Sequence, residues 1–355
     1  MVTRSSDKPK PINLALQGGG SHGSFTWGVL DRLLADERID IASISGTSAG
    51  AMNAVVLAAG MQAGGREGAR QALTSFWRSV SLASRFSPIQ RTPLDWLMGR
   101  WTLDMSPAYW FFDTLSRSFS PYELNPFNYD PLRILLTNAV DFEQLRTAKT
   151  PKVFIAATNV RTGLAKVFRN EDLTPDAVLA SACLPFMHQA VEIGDEAYWD
   201  GGYMGNPVLF PLLSETDVRD LMVVQVNPIY REEVPKNARD ILNRLNEITF
   251  NASLVKELRV ISLMRGLVDE GSQYRVVLEE TRLHRIEAES EMSKLGVSSK
   301  MNAEWAFLSY LRDIGWQRAD QWLERHIDQL GQQSTFDVAD LTPPHRAEPL
   351  LAQRS

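Results

Sequence analysis

Three short clusters in the chain could do covalent chemistry. Gly46-Thr47-Ser48-Ala49-Gly50 fits G-x-S-x-G, the strand-turn-helix elbow that presents a serine hydroxyl on a tight turn. Glycines two before and two after the serine let neighbouring elements pass close. A helix starting at Ala49 turns its free N–H groups and positive dipole end toward any oxyanion that develops. Gly18-Gly19-Gly20-Ser21-His22-Gly23 matches G-x-G-x-x-G and admits two chemistries. A dinucleotide site wants an acid at the exit end of the second strand. Asp40 has the right distance but stands at the entering end, and the exit end holds Ser45-Gly46-Thr47-Ser48. An oxyanion hole fits better, with both loops opening at one edge of the sheet and Gly18, Gly19, Gly20 and Ala49 as candidate donors.

The third cluster, Asp200-Gly201-Gly202, closes a strand and presents a carboxylate. At a reference pKa of about 3.9 a carboxylate is a weak base for serine unless it is desolvated and close by. A triad in the order Ser48, Asp200, then His284 or His326 is also formally available. Only two strands precede Ser48, too few for an α/β-hydrolase. Both histidines sit in charged sequence that reads as solvated surface, so Asp200 is the better partner.

The elements that must position these clusters alternate. Apolar runs at 12–16 and 41–44 read as strands, and 24–34 and 49–59 as helices, which implies a parallel pair with a right-handed crossover. A further helix is expected at about 66–80. Alternation resumes with strands at 153–159 and 165–169, a helix at 175–182, strands at 190–193 and 197–199, and a last buried strand at 221–226. Beyond it, 238–268 and 300–330 read as amphipathic helices, the second ending at Gly331. A short β-like run at 274–278 with 282–286 lies between them. Between 76 and 130 the sequence turns aromatic and proline-rich, with Trp77, Trp96, Trp101 and Trp110. That stretch reads as a helical insertion. Its aromatics are expected mainly to pack, with a lid or lipid-facing patch as the other reading.

Composition narrows the function. The 355 residues are 44% hydrophobic and 23% charged, which is globular. A net charge of -6 argues against nucleic acid. The single cysteine, Cys183, excludes an internal disulfide and reads as packing, and the five histidines show no metal-binding spacing. No metal or other cofactor is expected. The longest apolar run, at 49–61, is about 13 residues against roughly 20 for a membrane span, and no signal peptide is evident. A cytoplasmic protein is the expectation.

In order and separation, Gln17-Gly18-Gly19-Gly20-Ser21-His22-Gly23, Gly46-Thr47-Ser48-Ala49-Gly50 and Asp200-Gly201-Gly202 resemble a bacterial patatin-like phospholipase. The stretch from Ala180-Ser181-Ala182 through Pro185 to Asp200, then Asn206-Pro207, is similar to the family's block around its aspartate. The likeness covers about 12–227. It implies an α/β, three-layer fold with a mostly parallel central sheet flanked by helices, plus the aromatic-rich insertion and C-terminal helices. It also implies a Ser48–Asp200 dyad, an oxyanion hole in the Gly18–Gly20 loop and cofactor-free lipid ester hydrolysis. Two departures stand out. The family commonly has Arg or Lys where this chain has His22, so a permanent cation is expected to be missing beside the loop. Asp-Gly-Gly replaces the frequent Asp-Gly-Ala, which is expected to be harmless.

The expected organisation is a disordered 1–11, a catalytic domain at 12–227 with its insertion at about 82–130, a mainly helical extension at 228–341 packing on that domain, and a flexible 342–355. His22, Asn159 and His188 are candidate pocket residues, with Asn159 a candidate either to orient Asp200 or to line the pocket. The substrate is a lipid ester met at a membrane or hydrophobic granule surface. Alternatives are a polyhydroxyalkanoate depolymerase with the same dyad and a non-enzymatic lipid- or granule-binding protein. The C-terminal helices, with Trp305, Trp316 and Trp322, pack on the domain or on a second subunit in a homo-oligomer.

Overall fold

The apolar runs around residues 14, 44 and 222 become neighbouring strands of one sheet. The structure, a computed structural model, describes residues 8–264, 277–278 and 280–341. The expectations for 1–7, 265–268, 274–276 and 342–355 lie outside the described residues. Eight strands are described: β1 (Lys10–Leu16), β2 (Ile39–Gly46), β3 (Lys152–Asn159), β4 (Ala165–Phe168), β5 (Val191–Ile193), β6 (Glu196–Asp200), β7 (Asp220–Val224) and β8 (Arg282–Ile286). Their order is β5-β6-β3-β2-β1-β7-β8, with β4 also paired to β3. The run from β3 to β8 is parallel, and β4, β5 and β6 join antiparallel. The mostly parallel α/β sheet is as expected. Two details differ. β1 starts at Lys10, inside the stretch expected to be disordered. Residues 277 and 278 are helical rather than extended, whereas 282–286 is a true sheet strand.

Both faces of the sheet are covered, which is why the central strands are apolar almost without alternation. Leu14 and Leu16 of β1 face one core and Ala15 the other. The first core takes α1 (Gly23–Leu34) and α2 (Ala49–Ser84). The insertion follows with α3 (Pro93–Leu97), α4 (Pro107–Ser118), α5 (Pro121–Leu124), α6 (Pro131–Ala139) and α7 (Phe142–Thr147), and α8 (Pro175–Ser181) precedes β5. On the second face lie α9 (Phe210–Ser214) and α10 (Ala238–Met264), which contributes Leu254, Leu258 and Ile261. After β8 come α11 (Glu289–Met292) and α12 (Trp305–His326). α12 crosses α1 at two glycines: a Cβ on Gly28 would meet the Arg312 carbonyl at 1.9 Å, and one on Gly315 the Phe25 carbonyl at 2.0 Å. The two helices expected at 49–59 and about 66–80 are the halves of α2, broken at Gly64 and Gly65.

Within 82–130 the helices are held by caps more than by core, whereas α6 and α7, which follow, bury Leu136, Phe142 and Leu145 in the first core. Thr92, Ser106, Asp130 and Asp141 each accept a backbone N–H at a helix start, and α3 to α6 each begin with proline. α4 buries no residue. Trp96 is 61% exposed, Phe111 68% and Phe127 94%. The expectation that these aromatics mainly pack is therefore corrected. Trp101 does pack, stacking on Tyr310 and lying against Phe307 and the Arg91 guanidinium. Phe76 and Trp77 also lie in the core, whereas Trp96, Phe111 and Phe127 stand on an apolar outer face that no other described element covers.

Candidate active site

Ser48 sits between the end of β2 and the start of α2 with φ 55 and ψ -122, a left-handed conformation that a side-chain-bearing residue adopts only when its surroundings force it. The force is steric and polar. A Cβ on Gly50 would lie 2.2 Å from the Leu16 carbonyl and one on Gly46 would lie 2.6 Å from the Gly50 carbonyl, so neither glycine tolerates a side chain. The Ser48 N–H donates to Ser181 Oγ at 2.9 Å, and Thr47 Oγ1 to the Gly205 carbonyl at 2.6 Å. The elbow is thus pinned by α8 and by the loop after Asp200.

The glycine loop leaves β1 beside it. A Cβ on Gly18 would lie 2.7 Å from Ser48 Cβ, so only glycine lets the loop come this close. Gln17 fixes the loop's base: its Oε1 accepts from the Val226 and Asn227 N–H groups, and its Nε2 donates to Asn251. The Gly18 N–H donates to Asn206 Oδ1 at 2.7 Å and its carbonyl accepts from Asn227 Nδ2 at 2.8 Å. Gly18 is therefore clamped on both sides, and its N–H is not free for an oxyanion, contrary to expectation. Among the described residues the N–H groups of Gly19, Gly20 and Ala49 make no hydrogen bond. Those three remain donors that an oxyanion could use.

Asp200 ends β6, fully buried. Its N–H donates to the Cys183 carbonyl, and its own carbonyl accepts from Thr158 Oγ1. Oδ1 accepts the Gly202 N–H at 2.7 Å. Oδ2 closes no hydrogen bond among the described residues, although the Ser48 hydroxyl is near enough to favour the charged form. Burial pushes the carboxyl up to about 7, against the opposing pull of the Gly202 N–H, Ser48 and the positive charge of Lys300. The desolvation that a carboxylate base needs is thus present. The Asp-Gly-Gly departure has a physical reason as well. The space of a side chain at Gly202 is filled by the Phe250 ring, 2.3 Å from where a Cβ would be.

The other sequence candidates sit elsewhere. His22 is buried under the C-terminal segment, bonded to Ser299 Oγ at 2.7 Å and edge-on to Phe307. Burial, Lys300 and Arg231 hold it well below the ordinary histidine pKa, so it is a neutral packing residue rather than a headgroup contact. Asn159 spends its amide on Glu196 and the turn N–H groups of Arg161 and Thr162. Its neighbour Thr158 is the residue that touches Asp200. His188 is half-buried, its pKa lowered by burial, with Asp130 as the charged group acting on it. His284 is wholly buried rather than solvated: its ring bonds Thr335 and Asp220, while His326 bonds Gln329. Neither histidine is hydrogen-bonded to Ser48 or Asp200. Cys183 is buried, donates to the Gln189 carbonyl and has a thiol pushed up to about 12, chiefly by burial.

Four partners were not singled out as site residues from the sequence: Ser181, Asn206, Asn227 and Lys300. Ser181 and Asn206 do lie in the stretch that resembles the family's aspartate block. Lys300 also corrects the expectation of a missing cation. It lies in the 3₁₀ turn Val297–Met301 after α11, and its Nζ donates to Asn227 Oδ1 at 2.6 Å.

A serine on a strained elbow and a buried carboxylate thus stand together at the carboxyl edge of the mostly parallel sheet of an α/β protein. A model of the patatin-like phospholipase family matches residues 14–213, and the chain belongs to that family. Membership makes it a lipid acyl hydrolase in general terms. Among solved structures, the crystal structure of VipD from Legionella pneumophila is similar at 14% identity and a TM-score of 0.43, covering 94% of this chain and 72% of that one. No curated protein matches the chain. No described helix is long and apolar enough to cross a membrane.

Proposed function

We propose that the protein cleaves lipid esters through Ser48 and Asp200. Asp200 Oδ2 accepts the proton of Ser48 as Oγ attacks the ester carbonyl, and the developing oxyanion is met by the N–H groups of Gly19, Gly20 and Ala49. The leaving alcohol departs with the proton from Asp200, and water, deprotonated by the same carboxylate, then releases the acid from acyl-Ser48. The observation that carries this reading is the buried Oδ2 without a closed hydrogen bond beside a serine held at φ 55. A buried carboxylate left in this state costs stability that a purely structural aspartate would not. A fluorophosphonate tests it. Intact mass and peptide mapping should show one adduct on Ser48, formed much more slowly in Asp200→Asn. An adduct elsewhere, or the same rate in Asp200→Asn, would sink the dyad.

The substrate is a lipid ester met at a surface, and the support is the outer face of the insertion. Phe127, Phe111, Trp96 and Leu97 stand in water there, and exposed aromatics of this density suit an interface between water and acyl chains. Tyr122 and Asn125 of the same insertion bond the 189–190 loop that leads to Asp200, so the face is tied to the site. Phe111→Ser with Phe127→Ser should weaken sedimentation with phospholipid vesicles about tenfold or more, on the order of 1–2 kcal/mol for each ring withdrawn, with labelling of Ser48 unchanged. Comparing hydrolysis of vesicles with that of amorphous polyester separates the phospholipid reading from the depolymerase one.

A further inference from the structure

The C-terminal segment reaches back over the glycine loop. A Cβ on Gly20, which has φ +59, would lie 2.6 Å from the Lys300 carbonyl and 3.3 Å from Lys300 Cβ. The side chain of that lysine turns inward, where its Nζ finds one oxygen, Asn227 Oδ1, and forms no salt bridge among the described residues. Asn227 passes the contact on, its Nδ2 donating to the Gly18 carbonyl, and Gly18 is packed against Ser48. Three contacts therefore lead from the ammonium to the nucleophile. An ammonium has three donors and is costly to hold away from water with one partner.

We propose that Lys300 is a positioning residue of the Ser48–Asp200 site: its ammonium braces the Asn227–Gly18 arm of the glycine loop beside the nucleophile and is the cation that acts on the buried Asp200. The inference rests on the functional reading above and extends it to a residue from outside the matched family region. The groups that face Lys300 are few. Glu247 of α10 and Asp200 of β6 favour its charged form, Arg231 of the loop before α10 opposes it, and it in turn presses on the neutral His22. Arg231 and Arg244 are already paired with Glu247, so that carboxylate is largely neutralised. Asp200 is the acid left without a cation of its own. Burial brings Lys300 down to about 8, so its charge is present through neutral pH and fades above it.

A role as mere packing would slow the enzyme equally at every pH; a charge acting on Asp200 moves the pH at which it works. The test is the rate of fluorophosphonate labelling of Ser48 from pH 5 to 10, in the full chain. In Lys300→Met the acid limb should shift to higher pH, roughly a severalfold loss at pH 6, with the gap closing at high pH, where Asp200 is ionised in both proteins. Lys300→Cys should behave alike, and aminoethylation of the introduced thiol, taken to a single adduct mapped to position 300 by mass, should bring the limb back by restoring an ammonium. Cys183, buried and with its thiol pushed up to about 12, is spared by the reagent. This second variant decides the matter if Lys300→Met does not fold. A limb that stays at the native pH in a folded variant, or that fails to return on aminoethylation, overturns the inference. Native protein that is not labelled at Ser48 at all overturns the dyad, and this inference with it.

Discussion

Two aspartates are buried at opposite ends of the same sheet, and they have opposite characters. Asp220 opens β7 at the amino edge. It receives the Arg282 guanidinium, the His284 ring and the Gly331 N–H, and these outweigh burial to bring it down to about 2. Asp200 closes β6 at the carboxyl edge with one N–H on Oδ1 and an open Oδ2, and burial drives it up to about 7. The same residue type, nearly shielded from solvent in both places, is thus a structural anion in one and a carboxyl that holds its proton toward neutrality in the other. The deeper setting of Asp200 and its shortage of donors together decide which. A saturated carboxylate holds elements together and has no affinity left for a proton; an under-saturated one strains the fold and gains that affinity.

The sharpest break between the two lies in activity. Ser48→Ala and Asp200→Asn should each lower ester hydrolysis by at least about 10³-fold, with little further loss when combined, because members of one catalytic unit fail together. Asp220→Ala, assayed where it is folded, should stay within about threefold of the native rate, since nothing near Ser48 changes. A large loss in Asp220→Ala would mean that the two ends of the sheet are coupled and would blur the contrast.

Next in size is stability. Removing Asp220 leaves Arg282 and the wholly buried His284 without their acid, a change that costs about 3–5 kcal/mol when one partner of a buried pair is lost. Urea unfolding of Asp220→Ala at pH 7 should show that drop in midpoint with an unchanged slope. A loss under about 1 kcal/mol would place this network with ordinary surface pairs.

How much of this was legible in the sequence follows from the range of the forces involved. Gly46, Gly50 and the Gly18 loop are dictated by sterics between residues close in the chain, so their spacing reads directly as an elbow facing a glycine loop. Asp200 is readable for the same reason, since Asp-Gly-Gly is a local turn. What holds these groups comes from far away: Ser181 onto Ser48, Asn206 and Asn227 onto Gly18, and Lys300 onto Asn227. The family likeness takes in the stretches that hold Ser181 and Asn206, but no local pattern marks Asn227 or Lys300 or assigns any of the four its contact, because these exist only once the sheet and C-terminal segment close. His284 was misread as surface because its neighbour Arg285 points to the other face of the strand, while Arg282, on the same face, is itself turned onto the buried Asp220. The insertion was misread in the other direction. Composition records that aromatics are present, but only the geometry of short capped helices decides whether a second layer covers them.

The smallest effect is the one that tests the comparison most directly, because it predicts opposite signs. Asp200 has a folded pKa of about 7 against about 3.9 for an unfolded aspartate, so ionising it favours the unfolded chain. Native protein should therefore lose stability relative to Asp200→Asn as pH rises from about 4 to 7, with no titrating difference below that window and a constant one above it. By pH 8 the inactive Asp200→Asn should be the more stable protein by on the order of 1–3 kcal/mol, a gain discounted for what the new amide leaves unpaired. Asp220 runs the other way. Its folded pKa of about 2 lies below the unfolded value, so its contribution is complete above about pH 4 and is lost as pH falls toward 2. Difference curves of urea midpoint against pH, native minus variant, should fall from pH 4 to 7 for Asp200→Asn and rise from pH 2 to 4 for Asp220→Ala. If the Asp200 curve is flat, its carboxyl is already ionised at low pH and is no base near neutrality, and the opposition between the two aspartates dissolves. If it falls as stated, the energy that sets Ser48 chemistry in motion is measured as stability withheld from the fold.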